Sequence, residues 1–99
     1  MELKVIQSAE PKVHPTAVID PTAILHKNVV IGPYAVIGEN CEIGEGSIIG
    51  AHAVIAKNVR MGKENHIYPH AVIGEDPQDL KFHDEYSTVV IGDHNLIRE

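Results

Sequence analysis

Stepping by six from Val13, the chain reads Val13, Ile19, Leu25, Ile31, Ile37, Ile43, Ile49, Ile55, Met61, Ile67 and Ile73, large apolar side chains without a break. The next two steps land on Asp79 and Glu85, and the aliphatics return in phase at Ile91 and Ile97. An amphipathic helix needs apolar residues three and four apart, and no window of this chain sustains that spacing. A period of six fits a short strand followed by a corner, with Gly directly after the apolar residue at positions 32, 38, 44, 50, 62, 74 and 92. Glycine there offers a bend, and Asn28, Asn40 and Asn58 stand where a left-handed backbone is tolerated. Hexapeptide repeats of this kind are the sequence signature of a parallel β-helix.

Strand alternation then assigns directions to side chains. If the first position of each hexad points inward, so does the fifth. That second column reads Ala17, Ala23, Val29, Ala35, Cys41, Ser47, Ala53, Val59, Asn65 and Ala71, small residues suited to a narrow interior. Cys41 is expected to be a buried, unreactive thiol. Three hexads, one per side, make one coil, which predicts inner stacks of Val13/Ile31/Ile49/Ile67, Ile19/Ile37/Ile55/Ile73/Ile91 and Leu25/Ile43/Met61. Stacking each coil on its neighbour compensates for the thin core that 99 residues would give an ordinary globule. The expected organisation is a lead-in segment over 1–12 and an all-β helix of about four coils over 13–99. A loop near 74–90 is expected to leave the prism, because Asp79 and Glu85 at core phase are costly to bury. Periodicity leaves the handedness of the coil open.

The outward column on one side reads Val18, Val36, Val54, Val72 and Val90, an apolar stripe of the kind that marks association. Since every copy carries the same stripe, a closed homotrimer through it is the expected assembly. A net charge of −6, no Trp and one Phe argue against nucleic acid as a partner, since phosphate binding needs clustered Lys and Arg. No apolar run approaches the roughly 18 residues of a membrane span, and the opening MELKVIQSAEPK has no signal-peptide core, so no membrane insertion is expected. The lone Cys41 fits a reducing compartment, and a cytoplasmic location is expected.

The hexads, together with IYPHAVIGEDPQDLKF and IGDHNLIRE, resemble the amino-terminal part of the UDP-N-acetylglucosamine acyltransferases that begin lipid A synthesis. The resemblance runs from about Val13 to Glu99, and its most specific element is Gln78-Asp79-Leu80-Lys81, followed by Ile91-Gly92-Asp93 and Asn95. It implies a left-handed β-helix, a trimer with sites between subunits, and transfer of a 3-hydroxyacyl chain from acyl carrier protein to the sugar 3-hydroxyl of UDP-N-acetylglucosamine. No metal or organic cofactor is implied. In that family a histidine of a later coil serves as general base, so no catalytic residue is expected within this sequence, which is expected to be inactive alone. Asp79 and Lys81 are implied to lie beside the nucleotide sugar, a carboxylate for hydroxyls and an ammonium for phosphate or the acyl hydroxyl, with Gln78 as a further candidate. Asp84 and Tyr86 stand where the family has Gly and Pro, and Thr88 where it has a basic residue.

Two other readings compete. His52 and His70 occupy the same outward hexad position one coil apart, below Tyr34, and would present two imidazoles on one face, as in trimeric γ-class carbonic anhydrases that hold zinc between subunits. His66 and His70 lack the five-residue separation of that family's paired ligands. A non-catalytic trimeric scaffold is the third.

Overall fold

A computed structural model describes residues 10–74 and 88–99. Within these residues every element is a strand of two or three residues, and three parallel sheets form the sides of a prism. The first sheet stacks β1 (Lys12–Val13), β4 (Val30–Ile31), β7 (Ile48–Ile49), β10 (His66–Ile67) and β13 (Leu96–Ile97). The second stacks β2 (Val18–Ile19), β5 (Val36–Ile37), β8 (Val54–Ile55) and β11 (Val72–Ile73). The third stacks β3 (Ile24–Leu25), β6 (Glu42–Ile43), β9 (Val59–Met61) and β12 (Val89–Ile91). This is the solenoid of a hexapeptide-repeat β-helix, consistent with left-handed coiling. Among the described residues no helix is long and apolar enough to cross a membrane.

From Val29 to Ile73 both inward columns are where the period of six places them, whereas Val13, at the open first coil, is exposed. Ile31, Ile37, Ile43, Ile49, Ile55 and Ile67 are buried at the first position, and Val29, Ala35, Cys41, Ala53, Val59 and Ala71 at the fifth. Ser47 and Asn65 are the two buried polar side chains among the described residues, and both belong to the second column. At the first coil the column opens to solvent, with Ala17 and Ala23 only partly buried.

The corners are closed by left-handed residues. Asn28, Asn40 and Asn58 have φ of 62°, 58° and 63°, as their type allows, but Tyr34, His52, Glu64, His70 and His94 adopt the same region at 60°, 61°, 54°, 69° and 59°. The reason lies in hydrogen bonding. In that conformation the corner N–H reaches a carbonyl of the coil before: His52 to Pro33 at 2.9 Å, Asn58 to Glu39 at 3.0 Å and His70 to Ala51 at 3.0 Å. Facing the first coil the acceptors are threonine hydroxyls, with Tyr34 N donating to Thr16 Oγ1 at 2.9 Å and Asn40 N to Thr22 Oγ1 at 2.7 Å.

Two expectations are corrected. Gly32, Gly44 and Gly50 have no left-handed φ, so they are not bends. They lie against the backbone of the next coil, where a Cβ on Gly32 would come within 3.0 Å of Ala51 N, one on Gly50 within 2.7 Å of Pro69 N, and one on Gly44 would collide with the Gly62 carbonyl. The second correction concerns everything after the loop. Ile91 stacks on Met61 and Val90 on Arg60, in the third sheet, and not on Ile73 and Val72 in the second. Leu96 pairs with His66 and Ile97 with Ile67. The steps from Met61 to Ile91 and from Ile67 to Ile97 each exceed the ordinary coil step, Ile37 to Ile55, by two hexads. An insertion of whole hexads keeps the aliphatics in phase while removing Val90 from the valine stripe.

Ile55 is fully buried, whereas Glu39 is an exposed corner residue. Ile55→Ala is expected to cost about 2–5 kcal/mol in denaturant unfolding and Glu39→Ala under about 0.5 kcal/mol; equal losses would show that the inward phase is misassigned.

Candidate functional site

Gln78, Asp79 and Lys81 lie outside the described residues, as do Asp84 and Tyr86. The structure does place the two ends of the segment that carries them. It leaves β11 at Gly74 and returns through Thr88 into β12, at the corner between the second and third sheets. Gly74 has φ of 77°, and a Cβ there would approach Val59 Cγ2 to 2.7 Å, so both conformation and space call for glycine. Below this exit the corner is built from asparagines. Asn40 Nδ2 donates to Asn58 Oδ1 at 2.8 Å, and the Asn58 carbonyl accepts from Val89 N at 3.0 Å, which ties the returning chain to the coil beneath.

A second polar arrangement occupies the corner between the third and first sheets. Asn65 is 1% exposed, and all its side-chain hydrogen-bonding groups are matched. Its Nδ2 donates to the carbonyls of Gly62 at 3.1 Å and Gly92 at 2.7 Å, and its Oδ1 accepts from Asn95 N at 2.8 Å. Ser47, one coil below, accepts from Asn65 N and donates to the Gly62 carbonyl, both at 3.1 Å. Asp93 Oδ1 accepts from Lys63 N at 2.7 Å. Sequence reasoning put Ser47 and Asn65 inside but did not pair Asn65 with Asn95 or Lys63 with Asp93; an asparagine in a column otherwise filled by Ala, Val, Cys and Ser was the available signal.

His52, His66 and His70 lie in aromatic stacks. Tyr34, His52 and His70 form a ladder along one corner, with centroids 5.1 Å apart and planes at 19° and 8°. Imidazole lone pairs lie in the ring plane, and one ion cannot lie in two stacked parallel planes, so His52 and His70 of one chain do not share a metal. His66 stacks on Tyr68 at 4.5 Å, and the Arg98 guanidinium lies 4.7 Å from the centre of the Tyr68 ring. Among the described residues no group of three His, Cys, Asp or Glu side chains is placed to hold a metal ion.

On the outer face of the third sheet Glu42 receives hydrogen bonds from His26 at 2.7 Å and Arg60 at 2.8 Å, and the His26 contact in particular holds its carboxyl below the usual range. This cluster is solvent-exposed and contributes little to stability. Burial pushes the Cys41 thiol up, and its Sγ donates to the Ala56 carbonyl at 2.8 Å, as an unreactive thiol requires.

Comparison with known proteins adds a family and its solved members. The model of the bacterial transferase hexapeptide repeat matches residues 10–43, 22–57 and 40–75. The chain superposes on the UDP-N-acetylglucosamine O-acyltransferase of Moraxella catarrhalis at 46% identity and a TM-score of 0.82, over 88% of this chain and 34% of that one. LpxA from Acinetobacter baumannii gives 44% and 0.82, over 88% and 34%. The UDP-N-acetylglucosamine acyltransferase of Francisella novicida gives 42% and 0.81, over 88% and 32%. The chain thus spans about a third of the length of each. No curated sequence matches it.

Gly74→Ala is expected to destabilise the prism by about 1–3 kcal/mol, through the left-handed φ and the contact with Val59. Gly92→Ala, where a Cβ meets nothing within 4 Å, serves as the matched control. Equal melting temperatures for the two variants would contradict the assigned exit geometry.

Proposed function

Because the chain belongs to the bacterial transferase hexapeptide-repeat family, we propose that it forms the β-helix and substrate-positioning segment of a UDP-N-acetylglucosamine O-acyltransferase. The observation that carries this reading is the combined identity and superposition with three such enzymes over 88% of the chain. In the proposed reaction the sugar 3-hydroxyl attacks the thioester carbonyl of a 3-hydroxyacyl chain on acyl carrier protein. A general base takes the hydroxyl proton, nearby donors stabilise the oxyanion, and the carrier thiol departs. The part of these residues is positioning. Asp79 accepts from sugar hydroxyls, Lys81 pairs with phosphate or the acyl hydroxyl, and Gln78 adds a neutral hydrogen-bonding group. Such contacts lower the energies of bound substrate and transition state together, so they bind without supplying the base. Both substrates being soluble metabolic carriers, the reaction belongs in the cytoplasm.

The proposed assembly is a homotrimer through the second sheet's outer face. Val18 and Val72 are 61% and 50% exposed there, with Val36 and Val54 between them. Val54→Lys is expected to shift the mass measured by light scattering from trimer toward monomer, and a wild-type monomer at high micromolar concentration would refute the assembly.

Titration with UDP-N-acetylglucosamine, followed by NMR, tests the function. Binding is expected in the millimolar range, about 4 kcal/mol, and Asp79→Ala or Lys81→Ala is expected to weaken it roughly tenfold. Titration curves identical for wild type and both variants would refute the assignment.

A further inference from the structure

The insertion of two whole hexads poses a selection problem. Because whole hexads preserve the period of six, the aliphatics of β12 and β13 would point inward on any side of the prism. Apolar burial therefore does not choose between resuming in the third sheet, as observed, and resuming in the second, where an uninterrupted count of coils would put Ile91. The choice must come from groups whose partners differ between the two arrangements.

Asn65 and Asp93 are such groups. Resumption in the third sheet brings the Gly92 carbonyl to Asn65 Nδ2 and the Asn95 N–H to Asn65 Oδ1. Any other side withdraws both partners and leaves a fully buried amide half unmatched, which is costly in a way an apolar residue at that position would not be. Asp93 adds a second, independent contact. Its carboxylate oxygen accepts from Lys63 N beside Gly62, where a Cβ would collide with that oxygen, so the corner of the coil below is shaped to receive this side chain. The backbone follows: Gly62 N donates to the Ile91 carbonyl at 2.8 Å, His66 N to Asn95 O at 2.8 Å and His94 N to Lys63 O at 2.9 Å. Ser47 completes the column from below by holding Asn65 N and the Gly62 carbonyl in place.

We propose that Asn65 and Asp93 are positioning residues that select the side on which the coil resumes, and so fix where the returning end of the chain, Thr88–Val89, is held. Their effect on nucleotide-sugar binding rests on the function proposed above; their effect on register does not.

Cysteine pairs read the register directly. Val90 is directly opposite Arg60, and both point outward, so Arg60→Cys/Val90→Cys can close a disulfide across neighbouring strands, whereas Val72→Cys/Val90→Cys can close only if the coil resumes in the second sheet. In a Cys41→Ala background the first pair is expected to oxidise at least tenfold more completely than the second. Adding Asn65→Leu or Asp93→Ala is expected to lower the first pair's yield several-fold, and Asp93→Asn, which keeps an oxygen acceptor for Lys63 N, to restore it. Unchanged yield in both Asn65→Leu and Asp93→Ala, or an Asp93→Asn variant as damaged as Asp93→Ala, would overturn the proposal. If Asn65→Leu abolishes the β signal in circular dichroism, the exposed Asp93 variants decide alone. Titration of Asp93→Ala with UDP-N-acetylglucosamine then reads the consequence: weakened binding with rescue by Asp93→Asn supports it, and unchanged binding despite a lost cross-link refutes it. A wild type that shows no saturable binding removes the functional reading, and the cross-linking yields still decide the register.

Discussion

The structure depends on one constraint: each side of the prism contributes one large aliphatic and one small residue to an interior too narrow for more. With strands only two or three residues long, no side is stable alone. Stability comes from repetition, since every coil buries its aliphatics against the one below and satisfies its backbone by bonding to that same neighbour. Other features follow from this closeness. Gly32, Gly44 and Gly50 stand where the next coil's backbone leaves no room for a Cβ, and corner residues take a left-handed φ because that turns their N–H toward the preceding coil.

A solenoid of this kind has a surface that can be edited without touching the core. The chain leaves at one corner and returns to the next side, two hexads longer, with the inward phase intact. The apparatus around that insertion is correspondingly polar and specific. The Asn40–Asn58 pair and Gly74 frame the exit, and Asn65, Asp93 and Asn95 hold the return. The proposed function uses the same division of labour, a rigid repetitive scaffold that holds a short polar segment where a nucleotide sugar can be gripped.

The core was legible because inward and outward directions depend only on local alternation, and both columns could be read to the residue from Val29 to Ile73. Val90 and Ile91 were misplaced for a definite reason. Counting by whole coils assumes an unbroken winding, and an insertion of two hexads leaves no break in phase to reveal itself. The clue was nevertheless present, because omitting the two hexads whose core positions are Asp79 and Glu85 puts Ile91 on Met61. Gly32, Gly44 and Gly50 were misread because a sequence shows residue type but not how near the next coil passes, whereas Gly74 does turn with a left-handed φ. Asp93 and Asn95 were missed as partners of Lys63 and Asn65 because that pairing reaches across the insertion and becomes visible only once the register is known. Of the candidate site itself, Gln78, Asp79 and Lys81 rested on resemblance, which periodicity alone would have reduced to an ordinary polar loop.

The central claim is that the coil resumes on the third side after the insertion, and methyl contacts in solution test it most directly. In a nuclear Overhauser spectrum of the methyl-labelled chain, the Ile91 methyls should show cross-peaks to the Met61 Cε methyl, the residue they stack on. Cross-peaks from Ile91 to Ile73 instead, with none to Met61, would place the resumed coil on the second side and contradict that claim.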